Sequence, residues 1–105
     1  MKYEIYQLDY NKESVKNSHK MFSRWEWLIK YEGGFNFQDY KKVYESEIKG
    51  HTEYVNNIQI LEKIFEIFNL NHPEDFKGHS LSVSDVIVLE DKMYYCDSCG
   101  WKEIL

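Results

Sequence analysis

The chain has 105 residues, with 18 Asp plus Glu against 13 Lys plus Arg and a formal net charge of −5. Its 43% hydrophobic content, with nine Tyr, six Phe and three Trp, excludes a disordered chain and supports one core without disulfides or metal. The acidic balance excludes a protein that coats nucleic acid through clustered Lys and Arg.

Lys2 to Asp9 alternates Tyr3, Ile5 and Gln7 with Glu4, Tyr6 and Leu8, which predicts a strand covered on both faces. Tyr10 to Ser18 is polar and reads as a loop or short helix, and His19 to Phe22 as a short returning strand. Ser23-Arg24-Trp25-Glu26 has the S-x-x-E form of a capping box, which predicts a helix from Arg24 to about Tyr31 with Trp25, Leu28 and Ile29 sharing one face. Gly33-Gly34 should stop it. Tyr40 to Ile48 alternates again and reads as a partly exposed strand.

Tyr54 to Phe68 predicts the main helix, with Ile58, Leu61, Ile64, Phe65 and Phe68 close to a 3.6-residue period and Ile60 and Ile67 off that stripe. Asn56 or Asn57 is the expected cap, and Pro73 limits the downstream extent. Leu81 to Leu89 reads as a strand with Leu81, Val83, Asp85, Ile87 and Leu89 on one face and Ser80, Ser82, Ser84, Val86 and Val88 on the other. Glu90-Asp91-Lys92 should turn the chain into a return strand starting at Met93 to Tyr95, and Trp101 to Leu105 adds a further short strand. There is no repeat, low-complexity tract or linker. The expected architecture is a single domain over residues 1–105 of the α+β class, a mostly antiparallel sheet of 4–5 strands with two packed helices.

No apolar run approaches the ~20 residues of a membrane span. Met1 to Gln7 holds no apolar h-region, so no secretory signal is expected. Two cysteines are too few for a secreted disulfide scaffold, so a cytoplasmic protein without a membrane partner fits best.

Cys96-Asp97-Ser98-Cys99 is a C-x-x-C, but zinc needs four ligands, and His19, His51, His72 and His79 lack a paired spacing. A redox motif would open a helix, whereas this one follows a strand. Two reduced thiols in a turn is the better reading, and neither metal nor cofactor is expected. His79 to Asp85 holds the three residue types of a serine triad. In an extended strand, however, His79 and Asp85 would lie about 20 Å apart at ~3.3 Å per residue, and no G-x-S-x-G elbow is present. Asp85 on an apolar face needs an account, because an unpaired charge there is costly. It either accepts hydrogen bonds that pin a loop or contacts a ligand or partner. There is no phosphate-binding glycine motif, and the glutamates read as a solvated face.

The string His72-Pro73-Glu74-Asp75-Phe76-Lys77-Gly78-His79-Ser80-Leu81-Ser82-Val83-Ser84-Asp85-Val86-Ile87-Val88-Leu89, after Phe68-Asn69 and before Tyr94-Tyr95-Cys96-Asp97-Ser98-Cys99-Gly100-Trp101, resembles the signature of the YodL-like domain family. Ile5-Tyr6-Gln7-Leu8 and Tyr40-Lys41-Lys42-Val43-Tyr44 are similar to its upstream pattern. The resemblance covers nearly the whole chain. It implies a small protein or module of conjugative elements, plasmids and phages, with no catalytic activity defining the family and both cysteines departing from its usual residues. The matching Ser-x-Ser-x-Ser-Asp run and Asp97 become the leading site candidates, and a shared folding role explains them equally.

The functional expectation is a non-enzymatic protein-binding module. Negative charge, abundant Tyr and Trp and the absence of a catalytic constellation support binding. Its partner would be a host or element-encoded protein, and the resemblance implies that this could be a defence system such as restriction or CRISPR. The expected contact residues are His79, Ser80, Ser82, Ser84, Asp85, Tyr94, Tyr95 and Asp97, with strand tyrosines left over from the core for an interface. The alternatives are a small-ligand or nucleotide-handling enzyme with a Ser/Asp pocket and a structural assembly domain.

Overall fold

The computed structural model describes residues 1–49 and 56–104. Alternating apolar and polar positions put Lys2–Leu8 into β1, and a single turn, α1 (Glu13–Lys16), follows it. Next come α2 (Trp25–Tyr31), a 3-10 turn at Phe37–Asp39 and β2 (Tyr40–Glu47). The long helix α3 (Asn57–Leu70) precedes three strands joined by hairpins, β3 (Val86–Leu89), β4 (Lys92–Asp97) and β5 (Gly100–Glu103). The strands form one antiparallel sheet in the order β2-β1-β3-β4-β5. This is the predicted α+β class, with five strands and two helices of at least seven residues.

Period-two geometry sorts the side chains onto two faces. Tyr3, Ile5, Ile87, Leu89 and Tyr94 pack under Ile60, Leu61, Ile64 and Phe68 of α3. Leu8, Val86 and Tyr95 point the other way and meet Val15 of α1, Leu28 of α2 and Tyr40, with Trp25 and Phe35 packed alongside. The sheet is therefore covered on both sides, but α2 covers only one end of its second face.

Local signals explain several boundaries. Asn56 caps α3, its Oδ1 accepting from the Gln59 N–H at 3.1 Å. Gly33 and Gly34 take positive φ, and the Gly34 N–H returns to the Leu28 carbonyl at 3.0 Å to close α2. Glu90 supplies the left-handed residue of the β3–β4 turn.

Other expectations are corrected. His19 to Phe22 is turn and loop, not a strand. The first residues of the predicted main helix, Tyr54 and Val55, lie outside the described residues, as does Leu105 of the last strand. The buried stripe of α3 runs through Ile60, Leu61, Ile64 and Phe68, while Ile58 is exposed and Phe65 only half-buried. Nearly every turn of that helix carries an apolar residue, so the sheet beneath it chose the face. On α2, Leu28 is buried and Ile29 is exposed.

The largest difference is at Leu81 to Leu89, where only Val86–Leu89 is strand. Ser84 has φ +86° and sits third in a turn closed by the Asp85 N–H on the Ser82 carbonyl at 3.1 Å. A positive φ at that position ends any period-two alternation.

Candidate functional site

The residues singled out by the sequence converge on one end of the sheet, where residues 79–85 meet the 22–25 segment. Asp85 lies just before β3 and is only 1% exposed. Its Oδ2 accepts from the Ser82 N–H at 3.0 Å and from the Gln7 Nε2 at 3.1 Å. Burial pushes the Asp85 carboxyl up to about 7, partly opposed by His79 and by the bonds from Ser82 and Gln7.

Gln7 is the residue that sequence reasoning missed. It reads as an ordinary strand position, yet it is buried and clamps the loop to β1. Its Nε2 donates to the His79 carbonyl at 2.8 Å and to Asp85, while its Oε1 accepts the His79 N–H at 3.2 Å. Gly78 makes this close approach possible, since a Cβ there would lie 2.4 Å from Gln7 Oε1 and 2.9 Å from the Phe76 ring.

His79 and Asp85 are neighbours after all. The separation expected of an extended strand is overturned, because the turn at Ser82–Asp85 folds the segment back and brings His79 Nε2 to 3.9 Å from Asp85 Oδ1. His79 Nδ1 lies 2.7 Å from the Ser80 carbonyl and 3.3 Å from Gln7 Nε2. The pair still lacks a nucleophile. Ser84 Oγ is buried and accepts the Phe22 N–H at 3.0 Å, and Ser84 and Asp85 are closed off from any substrate.

The serines do not form a stripe; each has its own setting. Ser80 is exposed. Ser82 Oγ is buried without a hydrogen-bond partner among the described residues. Ser84 is fully engaged: besides its Oγ contact, its N–H donates to the Cys96 carbonyl at 2.9 Å and its carbonyl accepts from the Tyr40 hydroxyl at 2.6 Å.

The second motif organises α2. Tyr95 is buried, donates its hydroxyl to the Ser23 carbonyl at 2.5 Å and packs its ring edge-on against Trp25 at 5.1 Å. Asp97 Oδ1 accepts the Trp25 N–H at 3.0 Å and the Ser98 N–H at 2.8 Å. The predicted capping box does not form. Asp97 from a distant strand takes the first helical N–H, and the Ser23 hydroxyl turns back to the His19 carbonyl at 2.6 Å. Tyr94 faces the opposite side, where its hydroxyl accepts from Asn57 Nδ2 at 2.9 Å. Ser84, Asp85, Tyr94 and Tyr95 thus face the interior, while His79 and Ser80 reach solvent and Asp97 does so in part.

The C-x-x-C is likewise divided. Cys96 is a buried strand residue whose thiol burial pushes up to about 12, and Cys99 is exposed in the β4–β5 turn. A thiol-specific chromogenic reagent should label one thiol per folded chain, at Cys99, and the second only in denaturant. Labelling of both at equal rates in the folded protein would contradict this placement. Among the described residues no group of three or more His, Cys, Asp or Glu could hold a metal ion, and no helix is long and apolar enough to cross a membrane.

The family model for the YodL-like domain matches residues 2–105. The chain belongs to the YodL-like family. Neither the curated proteins nor the solved structures yield a match. In this YodL-like chain both halves of the signature that carried the resemblance are hydrogen-bonded framework: the His79–Asp85 loop is tied to β1, and Tyr95 and Asp97 are tied to the start of α2.

Of the strand tyrosines expected to supply spare aromatic surface, Tyr3, Tyr40, Tyr94 and Tyr95 are buried, and Tyr6 and Tyr44 are half-buried. The exposed aromatics come from α2 and the loops. Trp27 is 51% and Tyr31 68% exposed, one turn apart with rings 5.6 Å from centroid to centroid. The Arg24 guanidinium lies 4.9 Å above the Trp27 ring.

Proposed function

We propose that this YodL-like domain is a non-enzymatic, cytoplasmic protein-binding module of a mobile genetic element, and that α2 carries its contact surface. The observation behind this reading is the exposed ridge of Arg24, Trp27 and Tyr31 on a helix that buries only Leu28 among its residues. Trp, Tyr and Arg are the residues most often found at the energetic centre of protein interfaces. Two exposed rings already packed edge to edge, with a guanidinium over one of them, lose little side-chain freedom on binding. The hydrogen bonds of Asp97 and Tyr95 hold the start of the helix, so these two of the residues singled out by the sequence position this surface.

Family membership supports the mobile-element setting. A host or element-encoded protein is the partner class, and a defence nuclease or its complex suits a protein that travels with mobile DNA. Its action would be steric, since a net charge of −5 over 105 residues is modest for imitating nucleic acid. The test is co-purification of tagged protein from a host lysate, followed by reconstitution with the purified partner. Trp27→Ala and Tyr31→Ala should each weaken the reconstituted complex at least tenfold at unchanged thermal stability. A partner retained equally by both variants, or no partner at all, would overturn the reading.

A further inference from the structure

A second surface shares no residue with the Arg24–Trp27–Tyr31 ridge, and its lining has the opposite sign to the whole chain. Tyr10, Met21, Phe22, Lys41, Lys77 and His79 contribute to a groove of about 760 Å³ between β1, the edge strand β2 and the 77–79 segment. That volume falls within the range of small-ligand sites. Four of its lining residues are Lys41, Lys42, Lys77 and His79, and none is acidic. Lys42 is held by Glu4 and Glu45, each at 3.2 Å. Lys41 and Lys77 make no ion pair among the described residues, leaving two cations facing the groove without a counter-charge.

Phe22 supplies the other half of the argument. It is 62% exposed and adopts φ +64°, a left-handed conformation disfavoured for a bulky residue. The N–H bond to Ser84 Oγ holds it there, and Ser84 is itself at positive φ. Glycine or asparagine would satisfy this backbone more easily, so folding alone does not account for a phenylalanine. Tyr10, also half-exposed, is steadied by its hydroxyl on Met21 Sδ at 2.9 Å. Flat rings beside unpaired cations are the elements that stack a base and hold its phosphate.

We infer that this groove binds a nucleotide, the base stacked on Phe22 and Tyr10 and the phosphate held by Lys41 and Lys77 with His79 beside them. The shared chemistry is a phosphate next to a stackable ring, whether carried by a free nucleotide or by the end of a single strand. This site is independent of the protein-binding reading and requires no chemical step.

The four nucleoside 5′-monophosphates, a short single-stranded oligonucleotide, adenosine and inorganic phosphate would each be titrated into the full chain by calorimetry and by amide chemical-shift mapping. At least one nucleotide or the oligonucleotide should saturate at the groove and bind at least tenfold more tightly than adenosine or phosphate. A strand at least tenfold tighter than every mononucleotide identifies a strand-end site, and comparable affinities identify a free-nucleotide site. Phe22→Asn should reduce binding at least tenfold at an equal or higher melting temperature, with Phe22→Gly as a second variant should asparagine disturb the loop. Lys41→Ala with Lys77→Ala should reduce it similarly, whereas Trp27→Ala should leave it unchanged. No saturable binding up to millimolar concentration, or binding undiminished in the folded Phe22 variants, would overturn the inference.

Discussion

Asp85→Ala should lower the free energy of unfolding by about 3 kcal/mol, a large share of the stability of a small domain. The carboxylate receives the Ser82 N–H and the Gln7 amide, and it is 1% exposed. Removing it takes the acceptor from the part-buried Ser82 N–H and from one N–H of the buried Gln7 amide, and leaves a space that the turn cannot close without moving Gln7, which also holds the His79 backbone. For a domain of this size the corresponding fall in melting temperature is roughly 12–20 °C. Asp85→Asn keeps one acceptor oxygen and should cost less. A loss below about 1 kcal/mol for the alanine variant would mean that the loop is held without Asp85.

The same group sets a pH dependence. Burial raises the folded carboxyl from an ordinary value near 3.8 to about 7, so between these values the folded state holds a proton that the unfolded state has released. The resulting stabilisation is fully present below about pH 4, and it is lost as pH rises through about 7. Measured against Asp85→Asn, which shares the remaining titrating groups, wild-type stability should therefore decline from pH 4 to pH 7 and then level off. A difference that grows with pH would place the ionised, hydrogen-bonded carboxylate as the favoured form.

Phe68→Ala should be at least as severe, at about 3–5 kcal/mol. Phe68 is completely buried in the α3–sheet interface. Its ring meets Tyr3 at 6.2 Å, Tyr44 at 5.3 Å and Phe76 at 4.8 Å, all edge-on. Alanine forfeits those contacts, and the cavity lies between a sheet and a helix that cannot both move inward. The lost stability should appear as a lower urea midpoint with an unchanged slope. Phe65→Ala, at a half-buried site on the same helix, should cost less, and equal losses at both positions would contradict this placement of the core.

Periodicity made β1, β2 and the α3 region readable in the sequence, because two-residue and 3.6-residue patterns are local. The serine run misleads for a physical reason. Alternation of letters from Leu81 to Leu89 looks the same in a strand and in a turn whose third residue happens to be serine, and a glycine or asparagine at position 84 would signal positive φ. The cap of α2 was also out of reach, since Ser23 and Glu26 have the right spacing while the carboxylate that binds the helix comes from Asp97. Most of the candidate residues did come together, but Ser84, Asp85 and Tyr95 among them point inward. Of what they support, Phe22 gives no signal beyond being aromatic, while α2 is legible as a helix from its 23–31 pattern and only its exposed ridge is not.

The order of the strands has a consequence for how the chain acquires its structure. β1 is interior to the sheet, with β2 on one flank and β3 on the other, and Ile5 lies opposite both Tyr44 and Ile87. The β1–β2 ribbon can form early, but its second edge stays open until the last third of the chain has been made. Closing that gap requires a long loop-closure step, which slows folding and postpones cooperativity. On a ribosome the domain would therefore complete its fold only after β3 to β5 had emerged, so a chain cut short before Val86 would present the open second edge of β1 to chaperones and proteases.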